Sequence, residues 1–264
     1  MVKVYSQANS YDYPFPIVTL AYFLRYPNPF STHVLSTDVL DRTFDPITQR
    51  LHTTRLHLKR SKAPGAVLKL IPRSFVGASA QGESQAYILE RSTVDVKEGW
   101  MKTESRNLEW TGVLSVIEKQ MYHATRTPST ADSSGKLGKS SSSLDDIFKD
   151  SSNSKPPLES FAFGTDRTTD VTTMVTLHST LGQRFKRKQA EEGEEKVGFF
   201  RSWSQASLQR SIEAIGLRRT SKSQPNAVEG MKVVLERLRE GGFANVLEGM
   251  RRDREQALGI KGKV

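Results

Sequence analysis

Residues 16–35 read Pro16-Ile17-Val18-Thr19-Leu20-Ala21-Tyr22-Phe23-Leu24-Arg25-Tyr26-Pro27-Asn28-Pro29-Phe30-Ser31-Thr32-His33-Val34-Leu35. The first nine residues are an apolar run with proline at its start, where a helix tolerates a missing N–H. Pro27, two residues beyond Arg25, stops it, because the residue before a proline is pushed out of the helical region. Beyond this stop the hydrophobic period changes from helical to alternating. His33–Arg42 and Arg50–Lys59 alternate as half-buried strands, joined by a turn at Asp45-Pro46. Gln85–Val96, Trp100–Leu108, Gly112–His123 and Thr168–Ser179 also have strand composition, and Val2–Ser6 alternates weakly. An antiparallel meander is the simplest arrangement. From Gln205 onward helix formers take over. Val228, Met231, Val234, Leu235 and Leu238 recur at helical spacing, and Phe243, Val246, Leu247 and Met250 repeat it after Gly241-Gly242. Pro225 is expected to kink this helix by deleting one hydrogen bond. The reading is α+β: one sheet, an early helix and a long C-terminal helix across it.

Two stretches do not fit a packed core. Residues 124–160 are Ser-rich, with ten serines among the 26 residues Ser129–Ser154. Such a segment cannot bury enough apolar area to offset its ordering entropy, so a disordered insertion is expected. Residues 184–198 form a second, charged insertion, with Arg184, Lys186, Arg187 and Lys188 followed by four glutamates. The expected organisation is one domain over 1–240, interrupted twice, with a helical tail at 241–264.

Composition removes several function classes. Of 264 residues, 39 are Lys or Arg and 29 are Asp or Glu, a net charge of +10. There is no cysteine, hence no disulfide framework, thiolate metal site or cysteine nucleophile within the chain. No apolar run reaches the length of a membrane-spanning helix. The first 16 residues carry one base and one acid and do not read as a targeting peptide. Hydrolase, zincin and dinucleotide signatures are missing. Gly138-Lys139-Ser140 resembles the end of a phosphate-binding loop, but Ser133 stands where its first glycine belongs. His52 and His57 differ in strand parity and point to opposite faces, which argues against a shared metal. No enzyme activity, metal or cofactor is expected. Basic and aromatic residues do not interleave as RNA-binding strands require, so nucleic acid is not the expected partner either.

Three blocks are distinctive: Phe23–Leu35; Thr53-Thr54-Arg55-Leu56 with Lys59, Lys62 and Pro64; and Arg106-Asn107-Leu108 with Thr111-Gly112-Val113-Leu114. In this order and spacing they resemble the PRELI/slowmo/Ups family of mitochondrial intermembrane-space phospholipid transfer proteins. The resemblance is strong over residues 1–123 and weaker over 168–240. It looks most like a fungal member of the phosphatidic-acid branch. It implies a curved seven-stranded antiparallel sheet wrapped around a long C-terminal helix, as in START and phosphatidylinositol-transfer domains, with a lidded lipid cavity. A two-chain lipid keeps roughly twenty or more methylenes from water, at about 0.8 kcal/mol each, which is why a lid is needed.

The resemblance also implies roles. Arg25 binds the lipid phosphate at the cavity floor, where a bare reading leaves it as a surface charge at a helix end. His33, Lys59 and Lys62 are headgroup or membrane contacts, against ordinary packing or solvated strand-end charge. Arg219 falls at a cationic position of the long helix, while Ser223 and Asn226 depart from the family's asparagine and lysine. Pro64, Gly65, Val67, Leu68, Leu70 and Ile71 form the lid, whose bland alternative is a buried connection. The implied activity is transfer of phosphatidic acid for cardiolipin synthesis. The alternatives are phosphatidylserine transfer and a lipid-binding regulator that does not transfer. The implied partners are a phospholipid, an anionic mitochondrial membrane surface and a small disulfide-bonded helical-hairpin protein of the intermembrane space.

Overall fold

A computed structural model describes residues 2–62, 83–126, 167–179 and 205–258. The lid residues and nearly all of both insertions lie outside the described residues. Seven strands form one open antiparallel sheet: β1 (Val2–Tyr11), β2 (Val34–Asp45), β3 (Arg50–Lys62), β4 (Glu83–Asp95), β5 (Trp100–Asn107), β6 (Ser115–Arg126) and β7 (Arg167–His178). Their order is β1-β7-β6-β5-β4-β3-β2. Strands β2 to β7 are thus the expected meander, and β1 closes onto β7 with Val2 opposite His178. Helix α1 spans Phe15–Phe23, and α2 spans Gln205–Ala257.

Several boundaries differ from the sequence reading. β1 runs on to Tyr11, because every residue from Val2 to Tyr11 pairs with β7 and the burial alternates along its whole length. β6 starts at Ser115, not Gly112, because residues 111–113 are a turn beside Trp110, which has a positive φ of 62°. It extends to Arg126, so Ala124–Arg126 belong to the sheet and not to the Ser-rich insertion. Asp45 does act at the β2–β3 turn: it accepts hydrogen bonds from the Ile47 N–H at 2.9 Å and the Thr48 hydroxyl at 2.6 Å.

The core sits between α1, α2 and one end of the sheet. Ile17, Val18, Ala21 and Tyr22 of α1 meet Met231, Val234, Leu235 and Leu238 of α2 over Val94, Met101, Tyr122 and Val171. Each apolar side chain buried here contributes about 1.5–3 kcal/mol. Farther along the strands the same face turns polar. One cross-strand row reads Thr53, Ser92, Thr103, Gln120, Thr173 and Gln7.

Pro225 does not break α2. The non-helical backbone angles fall at Gly241 and Gly242, the latter with φ 62°. A proline's cost is one lost hydrogen bond, whereas two adjacent glycines remove the steric barrier to reversal. Past this corner the chain folds back. Arg237 holds Asp253 through two bonds of 2.6 and 3.2 Å, and Val246 is fully buried in the core. The tail up to Leu258 therefore docks, forming a helical hairpin with the body of α2.

Candidate functional site

Arg25 follows α1 directly, and its local setting explains the Tyr26-Pro27-Asn28-Pro29 sequence. The Asn28 side chain is buried and works in two directions. Its Oδ1 accepts from the Phe30 N–H at 2.9 Å, capping a 3-10 turn at Pro29–Ser31, and its Nδ2 donates to the Arg25 carbonyl at 2.5 Å. Gly230 of α2 lies against it, and a Cβ there would stand 2.8 Å from Asn28 Oδ1. The missing side chain lets helix and loop touch. Arg25 is consequently aimed inward rather than left as a surface charge, and its side chain is only 15% exposed.

Its partner is Glu90, in the middle of β4. Arg25 Nη2 donates to Glu90 Oε2 at 2.6 Å. Arg55, directly across from Glu90 in the β3–β4 register, donates to Oε1 through Nε at 2.8 Å and Nη2 at 2.5 Å. Its Nη1 donates to the Phe23 carbonyl at 3.0 Å. His57 Nε2 lies 3.2 Å from Glu90 Oε2, and Thr37 Oγ1 lies 2.9 Å from His57 Nδ1. Glu90 and Arg55 are 1% and 3% exposed. Aromatic faces complete the shell. The Arg25 guanidinium sits 4.0 Å from the Tyr22 ring centre and 4.8 Å from that of Tyr26, while His57 meets Tyr26 edge-on at 5.5 Å.

The electrostatics of this cluster are unbalanced. Burial alone would raise the Glu90 carboxyl, but Arg25, the His57 hydrogen bond and Arg55 overcome it and hold it well below the ordinary value. Burial pushes the His57 imidazole down, with Arg25 and Arg55 acting in the same direction against Glu90. His57 is therefore neutral at pH 7. Two guanidiniums face one carboxylate, so one positive charge is left in excess. Arg25 Nε is buried with no hydrogen-bond partner among the described residues. Such a cluster favours an anion, and a guanidinium fork matches phosphate oxygens.

Of the other expected residues, Lys59 lies at its edge. Lys59 Nζ stands 5.7 Å from the Tyr26 ring centre, opposite Val34 in the sheet. The surrounding protein, followed by the charges of Lys59 and Arg219, pushes the pKa of His33 down to about 4. His33, Lys59 and Arg219 thus share one electrostatic neighbourhood, although Arg219 comes from α2 and is exposed. Lys62 ends β3 opposite Glu83. Ser223 is exposed, its hydroxyl donating to the Thr220 carbonyl at 3.1 Å, and Asn226 is also exposed. As their parity required, His57 is buried and His52 exposed. Among the described residues no cluster of side chains is arranged to hold a metal.

Glu90, Arg55, His57 and Tyr26 were not singled out as site residues in the sequence. The available signal was Arg55 inside a distinctive block, on the strand parity that also carries Thr53, His57 and Lys59. That face is the more polar one, which disguises it as solvent-facing.

An open seven-stranded sheet packed on a long C-terminal helix, with a buried guanidinium pair beside a rim of cations, defines an α+β domain suited to an anionic ligand. Residues 17–145 match the model of the PRELI-like family. That match takes in just under half of the chain. The chain is 36% identical over 122 residues to "Protein UPS1, mitochondrial" of Saccharomyces cerevisiae, covering 46% of this chain and 64% of that one. It is 39% identical over 105 residues to "Protein ups1 homolog" of Schizosaccharomyces pombe, covering 40% and 55%. With "PRELI domain-containing protein 1, mitochondrial" of Mus musculus it shares 33% over 105 residues, covering 40% and 45%. The matched part thus spans less than two thirds of each of these relatives.

Proposed function

We propose that this protein carries a phospholipid between mitochondrial membranes, with phosphatidic acid as the favoured cargo, delivered across the intermembrane space for cardiolipin synthesis. The observation that carries this reading is the unbalanced buried charge: Arg25 and Arg55 share the single carboxylate of Glu90. A lipid phosphate supplies the missing negative charge. In this reading Arg25 receives the phosphate, and His33, Lys59, Lys62 and Arg219 guide the headgroup at the mouth. The segment from Pro64 to Ile71 acts as the lid. Its apolar residues Val67, Leu68, Leu70 and Ile71 dip into the bilayer, and Gly65 eases the hinge. The net charge of +10 favours docking on an anionic leaflet, at about 1 kcal/mol per base near the surface. The mitochondrial names of two relatives support the compartment. The chain has no cysteine, so disulfides in the complex would belong to the small helical-hairpin partner.

Transfer of fluorescent phosphatidic acid between liposomes, with that partner present, tests the proposal. Transfer well above buffer is expected, strongly reduced by Arg25→Ala and partly kept by Arg25→Lys. A rate equal to buffer would overturn it. Phosphatidylserine donors in the same assay decide the cargo.

A further inference from the structure

The docked tail builds a second basic cleft, which borders the Arg25 cluster through Tyr26 and Thr37. Two adjoining cavities, of about 360 and 270 Å³, lie between the end of α2 and the start of β2. They share Pro27, Val34, Leu35, Ser36 and Arg254 as walls. Arg60 of β3 lines the smaller one together with Arg254.

The charges around it do not cancel. Asp253 lies in the same wall, but Arg237 occupies both of its oxygens. Arg251, on the larger cavity, is paired with Glu248 and Glu255. Arg60 and Arg254 have no acidic partner among the described residues. Two exposed guanidiniums, without an acidic partner among the described residues, therefore line a recess with the Ser36 hydroxyl and an apolar floor of Pro27, Val34 and Leu35. Guanidiniums are the side chains best matched to phosphate oxygens. At about 270 Å³ the inner recess falls just below the roughly 300–1,000 Å³ of drug-sized ligand sites, so it suits a headgroup and not a two-chain lipid.

We propose that Arg60 and Arg254 form a second phosphate-binding site, which takes a phosphomonoester group between the folded-back tail and β2. The site exists only because Gly241-Gly242 reverses the chain and brings Arg254 to β2. Its residues from α2 also lie outside the segment matching the family model, residues 17–145. The phosphate can come from a lipid headgroup or from free phosphate, and the floor of Pro27, Val34 and Leu35 accommodates the first methylenes of a lipid.

Arginine Nε–H NMR signals of the full chain test this, titrated with inorganic phosphate in one arm and dihexanoyl phosphatidic acid in the other. The signals of Arg60 and Arg254 are expected to shift together and saturate with one dissociation constant. Arg254→Gln is expected to raise that constant at least tenfold, while Arg252→Gln, an exposed neighbour outside the cleft, leaves it unchanged. Saturation with phosphate alone identifies free phosphate as a sufficient ligand. Saturation only with the lipid identifies the headgroup with its glycerol. The proposal is overturned if neither probe saturates these signals, or if Arg254→Gln binds as the parent does. Arg25→Ala serves as a separate control: loss of transfer there with the Arg60 and Arg254 shifts intact shows the two sites to be independent.

Discussion

Arg25 and Glu90 meet at 2.6 Å across 65 residues of sequence, and this contact turns a residue just past a helix end inward onto the sheet. The carboxylate is shared with Arg55, so Glu90 is the counter-ion of two guanidiniums at once. Removing it leaves both without a partner in a buried setting. Glu90→Gln is expected to destabilise the fold by about 3–5 kcal/mol, the usual cost of orphaning a buried charge. Denaturant unfolding measures this, and a loss below about 1 kcal/mol would mean that solvent already screens the cluster. The pH dependence has a definite sign. The folded carboxyl ionises well below its ordinary 4.5, so its contribution is complete above that pH and is lost as the pH falls below it.

The helix–loop contact at Gly230 sets where Arg25 points. An alanine there places its Cβ 2.8 to 3.0 Å from three atoms of the Asn28 side chain. Asn28 holds both the Arg25 carbonyl and the 3-10 turn. Gly230→Ala is expected to cost about 1–3 kcal/mol by overpacking. It should also lower headgroup affinity by displacing the loop. A variant with unchanged melting temperature and unchanged affinity would show that Asn28 yields without consequence.

The fold was legible because its signals are local. The apolar run at 16–24, the alternating strands and the spacing Val228, Met231, Leu235, Leu238 each declare an element, and all four of those α2 residues pack on the core. Register was not legible. The Arg55–Glu90 pairing spans the connection between β3 and β4, which is 20 residues long and carries no turn rule that fixes alignment. Polarity was misleading as well. Thr53, Arg55 and His57 face inward, while the more apolar Leu56 and Leu58 are only half-buried on the other face. The docking of the tail depends on Arg237 finding Asp253, sixteen positions away across a glycine corner, and helical periodicity says nothing about that.

That ion pair is the latch of the tail. Arg237 donates to both Asp253 oxygens, and Gly249 leaves room for the guanidinium, since a Cβ would stand 2.5 Å from it. Asp253→Asn keeps the shape and removes the charge. The expected loss is about 1–2 kcal/mol, because the pair is partly reached by solvent. Hydrogen exchange should show residues 243–257 opening before the rest of α2. Equal protection of that stretch in both proteins would show that Val246 and the core contacts hold the tail unaided.

In the proposed function His33 reports on the mouth of the site. Its pKa of about 4 means that it is neutral at pH 7, held so by its surroundings and by Lys59 and Arg219. In the unfolded chain it titrates at its ordinary 6.5, so the unfolded state takes up the proton first as the pH falls. The His33 contribution to stability is therefore intact above pH 6.5 and declines between there and about 4. A bound phosphate reverses the local field, because a negative charge next to an imidazole favours its protonated form. The pKa of His33 is thus expected to rise on loading with phosphatidic acid, and by linkage the lipid should bind more tightly as the pH drops from about 7 toward about 5. Histidine ring NMR titration of the lipid-free and loaded protein measures both values. A lipid-free pKa near 6.5 would mean that neither burial nor the charges of Lys59 and Arg219 act on it. An unchanged value on loading would place the phosphate elsewhere.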